Sequence, residues 1–229
     1  MSDQMLAALA RALRLTLDER DHLYRLSGQN APERASLETY VAPTLQRVLD
    51  RLDDTPAMIL TALNETLMQN RLAVAIFGDH SRFTGLARSG IYRWFTDPGE
   101  RAVYPVDDQT RQGRAHVASL RLAYGLSGRQ SRAGQLVRAL LKESPEFTEL
   151  WERHEVARRF EDHKILLHPE VGEIEVDCQA LFTEDQSQLL LVLTAAPRTE
   201  AAQKLELLRV LGQQTFASGP AEPLPVQSS

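Results

Sequence analysis

An alternating pattern in residues 173–182 constrains the fold more than any other stretch of the chain. Ile174, Val176 and Cys178 alternate there with charged or amide side chains. Because successive side chains of a strand point to opposite faces, one face is expected to be buried and the other wet. A turn-forming Pro-Glu-Val-Gly sequence at 169–172 separates this strand from a shorter one at 165–168. The pattern predicts a β-hairpin in an antiparallel sheet with one covered face.

Three further strands are predicted from apolar runs elsewhere in the chain. Residues 57–63 and 66–70 form a pair joined at Asn64-Glu65, and the uninterrupted run 189–193 is typical of a central strand covered on both faces. The strands follow one another without the strand-helix-strand alternation of parallel sheets. The sequence therefore predicts an α+β fold, with an antiparallel sheet of about five strands and a large helical insert between the second and third.

Short polar side chains mark the expected starts of the helices, because they accept hydrogen bonds from free backbone amides. Thr16 and Glu19 form a capping box. Asn70 precedes a short helix at 71–77, and Asp107 is expected to cap a long helix that reaches about Tyr124. The expected caps are Ser2, Thr16, Asn70, Asp97, Asp107, Ser131, Ser144 and Thr199.

The segment 29–36 is polar, contains proline and is the expected domain boundary. Before it, residues 1–30 carry two short helices, which cannot enclose a core alone. After it, residues 36–213 are expected to form the main domain. The tail at 214–229 is rich in proline and small residues, and disorder is expected from about Thr215.

Charge and cysteine content limit the partners and the compartment. The net charge of −5 gives no general attraction to nucleic acid or to an anionic membrane. No apolar run approaches the ~20 residues that span a bilayer. The single cysteine, Cys178, suits a reducing compartment. The chain is therefore expected to be cytoplasmic and to have no membrane partner.

The sequence lacks the motifs of catalysis, metal binding and cofactor binding. The His-Glu pair at 154–155 would begin a zinc-protease motif, but position 158 is an arginine instead of the second histidine. His163 and His168 do not have a recognised ligand spacing. Cys178 lies on the apolar face of its strand, where a small buried hydrophobe is expected rather than a nucleophile. We expect no catalytic residue, no metal and no cofactor, and we do not expect an enzyme.

Two aromatic clusters supply the candidate binding residues. Phe147, Trp151 and His154 follow at helical spacing and are expected to share one helix face beside the sheet. They either line a pocket with His154 as the polar anchor, or belong to the core with His154 bonded to a backbone carbonyl. In residues 92–95, Arg93 is either a surface cation or a planar guanidinium that binds a carboxylate of the ligand. The candidate ligand-binding residues are Asn70, Tyr92, Arg93, Trp94, Phe95, Phe147, Trp151, His154 and Cys178.

Four segments together resemble one protein family. They are SDQMLAALARALRLTLDERDHLYRL, YRWFTDPGERAVYP, SPEFTELWERHEV and HPEVGEIEVD, and the resemblance runs from Ser2 to about Gln213. They are similar to MmyB-like transcription regulators of the Xre family. Members pair an N-terminal helix-turn-helix domain with a C-terminal ligand-binding domain. The resemblance implies a PAS-like domain at 36–213 and a C-terminal remnant of the helix-turn-helix domain at 1–30.

The resemblance also implies a function in transcription regulation and a small, mainly apolar ligand of the fatty-acid kind. In the family, further helices that include the recognition helix precede the two that match residues 1–26. DNA binding is therefore expected only through that preceding part. Two alternatives stay open. One is an interaction module in which the sheet or the first helices form a homodimer, and the other is a hydrolase or isomerase of unrecognised type.

Overall fold

The computed structural model describes residues 2–29, 41–154, 163–183 and 187–217. Within this part of the chain, five antiparallel strands form one sheet in the order β2-β1-β5-β4-β3. The strands are β1 (Ala57–Thr61), β2 (Thr66–Gln69), β3 (His163–His168), β4 (Gly172–Phe182) and β5 (Gln188–Thr194). The predicted α+β fold on an antiparallel sheet is confirmed.

The helices of the described part precede, interrupt and follow the sheet. They are α1 (Asp3–Ala12), α2 (Leu17–Leu26), α3 (Pro43–Leu49), α4 (Arg71–Phe77), α5 (Gly90–Thr96), α6 (Val106–Ser127), α7 (Arg132–Glu143), α8 (Pro145–Glu152) and α9 (Glu200–Ala217). Three 3-10 helices, His80–Arg82, Gly85–Arg88 and Pro98–Val103, lie in the insert between β2 and β3. None of the described helices is long and apolar enough to cross a membrane.

Each expected cap except Asp107 accepts a hydrogen bond from a backbone amide of its helix. α6 begins at Val106 after Pro105 and has no side-chain cap. The prediction for Asp107 was therefore wrong, since this residue lies inside the first turn, where its charge suits the positive helix end. α6 also continues past Tyr124, near which its end was expected, and Gly128 follows its last residue with φ 82°.

Both predicted hairpins are present in the sheet. β3 and β4 pair with Leu166 opposite Ile174. Gly172 follows their turn with φ 72°, a left-handed conformation that glycine adopts without steric cost. Asn64, between β1 and β2, has φ 58°, which asparagine tolerates better than most residues. The turn chemistry of the sequence therefore sets both strand connections.

β5 is the central strand, as its continuous apolar sequence predicted. Leu189 and Leu190 are each 1% exposed and point to opposite faces of the sheet. Leu190 packs with Leu49 of α3, while Leu193, on the same face as Leu189, packs with α4 and α9. Burial on both faces explains why the usual alternation is absent from this strand.

Several predicted regions fall outside the described residues. The boundary segment lies outside them from residue 30, and the charged residues of the sequence at 158–162 also lie outside them. α9 reaches Ala217, past Thr215 where the tail was expected to begin, and residues 218–229 are not described. The described helix therefore continues two residues past the point where disorder was expected.

Two hydrophobic clusters position the insert relative to the sheet. The insert has its own core, in which Ile91, Trp94, Leu120, Leu136, Leu140 and Phe147 are at most 1% exposed. A second cluster joins α4 and α9 to the sheet through Leu72, Ile76, Ile174, Val176, Leu193 and Leu205. The boundary between the two clusters is the place where a cavity forms.

Candidate functional site

A cavity of about 280 Å³ lies between the sheet and the helical insert. Its apolar floor comes from three neighbouring strands: Met58 and Leu60 of β1, Leu191 of β5, and Cys178 of β4. Met58 pairs with Leu191 across the strands, so these side chains share one face of the sheet. The floor forms because every second side chain of each strand points to the same face of the sheet.

The rest of the lining combines charged side chains of both signs with aromatic rings such as Phe77, Phe83 and Trp94. Arg82, Arg93 and Lys164 are the cations, and Asp97 and Glu100 are the carboxylates. Such a wall can hold an anionic or strongly polar group of a ligand, while the floor accepts an apolar part. Ligand pockets commonly combine an apolar lining with a few polar groups in this way.

Arg93 is the buried charge of the site, with 3% of its side chain exposed. Its Nε and Nη2 each donate to Glu100 at 2.8 Å, which forms a two-pronged ion pair. Nη1 donates to the carbonyl oxygens of Ala87 and Arg88 at 2.8 and 3.2 Å. The guanidinium carbon lies 4.2 Å from the centre of the Phe83 ring. A desolvated cation needs this density of partners, because removing it from water costs several kcal/mol.

His80 lines the cavity beside Arg93. Its Nδ1 lies 2.9 Å from the Thr66 hydroxyl, and its backbone amide donates to the Gln69 side-chain oxygen at 2.8 Å. Burial lowers the pKa of His80, and repulsion by the Arg93 guanidinium lowers it further. The neutral imidazole is therefore favoured in the cavity wall.

Trp94 supplies an aromatic wall and is 1% exposed. Its ring packs edge-on against Tyr104 at 5.5 Å and tilted against His116 at 5.0 Å. The indole Nε1 is buried and has no hydrogen-bond acceptor among the described residues. A β-carbon added to Gly113 would stand 3.2 Å from this nitrogen, so the ring lies close against the backbone of α6.

Residues 41–208 match the family model of the MmyB-like transcription regulator ligand binding domain. The chain belongs to this family. Membership assigns the described sheet and insert to the ligand-sensing part of a transcription regulator, a family of regulators rather than of enzymes. The comparison with curated proteins finds none that matches this chain.

Three of the candidate residues named from the sequence line the cavity of the MmyB-like domain. They are Arg93, Trp94 and Cys178. Cys178 is 5% exposed and contributes to the apolar floor. The structure brings these three together from α5 and β4, which are far apart in sequence.

The other aromatic candidates pack in the core of the insert. Phe147 is fully buried and contacts Phe95 edge-on at 5.3 Å. Trp151 stacks on Phe147 at 5.5 Å, and the Arg121 guanidinium lies 4.1 Å from the Trp151 ring. Tyr92 donates to Glu143 at 2.5 Å. None of these four candidates lines the cavity.

Asn70 acts as a cap and as a clamp between backbone segments. Its Oδ1 accepts from the amides of Ala73 and Ala57 at 2.9 and 3.1 Å. Its Nδ2 donates to the carbonyls of Leu52 and Thr55 at 2.7 Å each. These four hydrogen bonds occupy the side-chain amide of Asn70, so its role is structural. Asn70 borders a separate hollow of about 460 Å³ rather than the cavity.

His154 lies at the exposed end of α8, outside the cavity. α8 ends at Glu152, and His154 takes φ 54°, so it leaves the helix face that carries Phe147. Its Nδ1 donates to the Glu152 carbonyl at 2.6 Å. The expectation that His154 shares one face with Phe147 and Trp151 was wrong, because the helix stops too early.

The main residues that the sequence analysis missed are His80, Glu100, Gln112 and Lys164, which all line the cavity. Glu100 follows Arg93 after a helix break at Asp97-Pro98, and nothing in that spacing signals a pair. Lys164 donates to the Gln112 oxygen at 3.4 Å, across 52 positions of sequence. The position of Lys164 on the same strand face as the apolar Leu166 was an available signal. Among the described residues, no group of three or more His, Cys, Asp or Glu side chains could hold a metal.

Proposed function

We propose that the cavity binds a small, largely apolar acid and that this chain senses it for a DNA-binding transcription regulator. The observation that carries the proposal is one buried arginine beside an apolar floor in a cavity of about 280 Å³. A filled interface between sheet and insert would have favoured the interaction module instead. Catalysis is less well supported, because the Cys178 thiol belongs to the apolar floor and the Glu100 carboxylate is paired with Arg93.

The apolar part of the ligand would lie along Met58, Leu60, Cys178 and Leu191. Each methylene removed from water contributes ~0.8 kcal/mol, which is about a fourfold gain in affinity per carbon. The volume of about 280 Å³ is at the small end of ligand pockets, which commonly measure ~300–1,000 Å³. We therefore favour an acid of short or medium chain length.

The carboxylate of the ligand would lie at Arg93. A guanidinium binds a carboxylate through two parallel N–H bonds and keeps its charge at every physiological pH. His154, the other anchor considered from the sequence, is exposed at the end of α8 and does not reach the cavity. Lys164 lines the same cavity and adds to its positive potential. An anion buried without such a partner would lose much of the affinity that its tail supplies.

The test is calorimetry of the full chain with saturated acids of increasing length. Affinity should rise by about fourfold per carbon until the cavity is full and then level off. Cys178→Phe, which fills the floor, should weaken binding at least about tenfold, because an overfilled site must distort. Leu181→Phe is the matched control, since Leu181 lies on the same strand, points to the opposite face and is 49% exposed. Affinity independent of chain length, or equal effects of the two variants, would contradict the proposal.

A further inference from the structure

The ion pair between Arg93 and Glu100 forms part of the cavity wall itself. Both side chains line the cavity. Glu100 accepts from Nε and Nη2 of Arg93 at 2.8 Å each. This is the geometry in which a free carboxylate also binds a guanidinium. The position best suited to the head of an acid is therefore occupied by a carboxylate of the same chain.

We propose that Glu100 is a displaceable counter-ion, and that a ligand carboxylate replaces it on Arg93 while Glu100 turns toward water. This inference rests on the proposed acid ligand. The exchange leaves the charge around the guanidinium unchanged, because one carboxylate leaves as another arrives. It therefore avoids the cost of leaving a buried cation without a partner.

The two partners differ in how firmly the fold holds them. Arg93 is 3% exposed, and its Nη1 is fixed by the carbonyls of Ala87 and Arg88. The flat face of the Arg93 guanidinium packs over the Phe83 ring. Glu100 has 21% of its side chain exposed, and among the described residues its carboxylate accepts hydrogen bonds from Arg93 alone. The arginine is therefore the fixed partner, and the glutamate is the one with access to water.

The element that carries Glu100 is suited to move. It is the six-residue 3-10 helix Pro98–Val103, and helices of this kind are short because their hydrogen-bond geometry is poor. Asp97, which precedes this helix, and Gly99, its second residue, are both exposed. Release of Glu100 would loosen this helix without breaking any strand pairing.

The same 3-10 helix connects the cavity to the rest of the insert. Arg101 donates to the Trp94 carbonyl at 2.7 Å and to Glu146 of α8 at 2.6 Å. Gln109 of α6 donates to the Arg101 carbonyl at 3.2 Å. A shift of the helix would therefore change contacts to α5, α6 and α8 at once. Such a change gives the domain two states that ligand binding can bias.

The experiment measures the affinity of the full chain for decanoate, by calorimetry, in the wild type and two variants. Glu100→Gln removes the competing charge and keeps the side-chain shape, while Glu100→Asp keeps the charge but is too short for the two-pronged pair. Both should bind decanoate more tightly, by at least about fivefold, the lower range of coupling between sites. If Glu100→Gln does not fold, Glu100→Asp decides the result. Glu149→Gln is the matched control and should bind like the wild type, because Glu149 pairs with Arg153 on the exposed face of α8, outside the cavity.

Amide hydrogen exchange tests the displacement in the wild type. Decanoate should speed exchange at the amides of Glu100 and Tyr104, which bond to the carbonyls of Asp97 and Arg101. If decanoate binds, but both Glu100 variants bind it equally or more weakly and these amides do not exchange faster, the counter-ion inference is overturned while the acid ligand stands. If no form binds decanoate, the acid-ligand proposal fails, and the inference fails with it.

Discussion

Arg132 of α7 and Glu65 of the β1–β2 connection form an ion pair of 2.9 Å, although 67 positions separate them in the sequence. The Glu65 side chain is 8% exposed and that of Arg132 is 24% exposed. Arg132 also donates to the carbonyl of Gly85 at 2.6 Å. One side chain therefore joins the helical insert to the sheet and to the 3-10 helix that precedes α5.

Arg132→Met should lower the free energy of unfolding by about 1–3 kcal/mol, because it leaves the buried Glu65 carboxylate without its partner. Urea denaturation of the full chain measures this loss. Arg153→Met is the control, since Arg153 pairs with Glu149 on the exposed face of α8. That pair should contribute less than about 0.5 kcal/mol. Equal losses of unfolding free energy in the two variants would show that the buried Glu65 carboxylate does not need Arg132 as its partner.

Two glycines of α6 should respond in opposite ways to alanine. Gly125→Ala should stabilise the protein by about 0.5–1 kcal/mol, because alanine is the better helix former and nothing lies within 4 Å of the added carbon. Gly113→Ala should gain nothing or destabilise, since its β-carbon would stand 3.2 Å from Trp94 Nε1 in a packed core. Urea denaturation of both variants gives the comparison. A stabilising Gly113→Ala would mean that the Trp94 ring can move away at no cost.

His80 should make stability depend on pH. Its pKa is lowered by burial and then by Arg93, with Arg82 also lowering it and Glu100 opposing the shift. Below its ordinary value of about 6.5 the unfolded chain therefore binds more protons than the folded one. The stability that neutral His80 contributes is fully present above the unfolded-state pKa. It is lost as pH falls toward and through the lower pKa of the folded state. His80→Gln should reduce this loss between about pH 8 and about pH 5.5, as measured by urea denaturation. An unchanged pH dependence of stability in this variant would show that another group is responsible.

His154→Gly should stabilise the domain relative to His154→Ala by about 1 kcal/mol. His154 follows the last turn of α8 with φ 54°, a conformation that glycine adopts without the steric cost of a β-carbon. Thermal or urea unfolding of the two variants measures the difference. Both variants should bind decanoate like the wild type, because residue 154 lies outside the cavity. A loss of decanoate affinity in either variant would show that His154 helps to bind the ligand.

The sequence by itself determined the local structure of this protein. The alternation in 173–182 predicted β4 and its buried face, since strand geometry gives every second side chain the same environment. Thr16 and Glu19 predicted the capping box of α2, and Asn70 predicted the start of α4. These predictions succeed because turns, caps and strand faces depend on neighbours within a few residues.

The position of His154 was decided by the end of a helix, which the sequence pattern did not reveal. Its spacing from Phe147 is helical, but α8 ends at Glu152 and the chain turns away. The pattern therefore predicted a shared face that the backbone does not maintain. The ends of helices are the hardest feature to predict from sequence, because tertiary packing contributes to where the last turn stops.

Tertiary structure alone decided which charges surround the cavity. Arg93 is one of many arginines in the chain, and only the packing of α5 against two 3-10 helices buries it beside Glu100. Lys164 of β3 and Gln112 of α6 come together only in the folded chain, across 52 positions of sequence. The sequence determined the apolar floor, because its strands are apolar segments that neighbouring residues reveal. Only the fold decided the polar wall, because the partners of a buried charge come from segments that are distant in sequence.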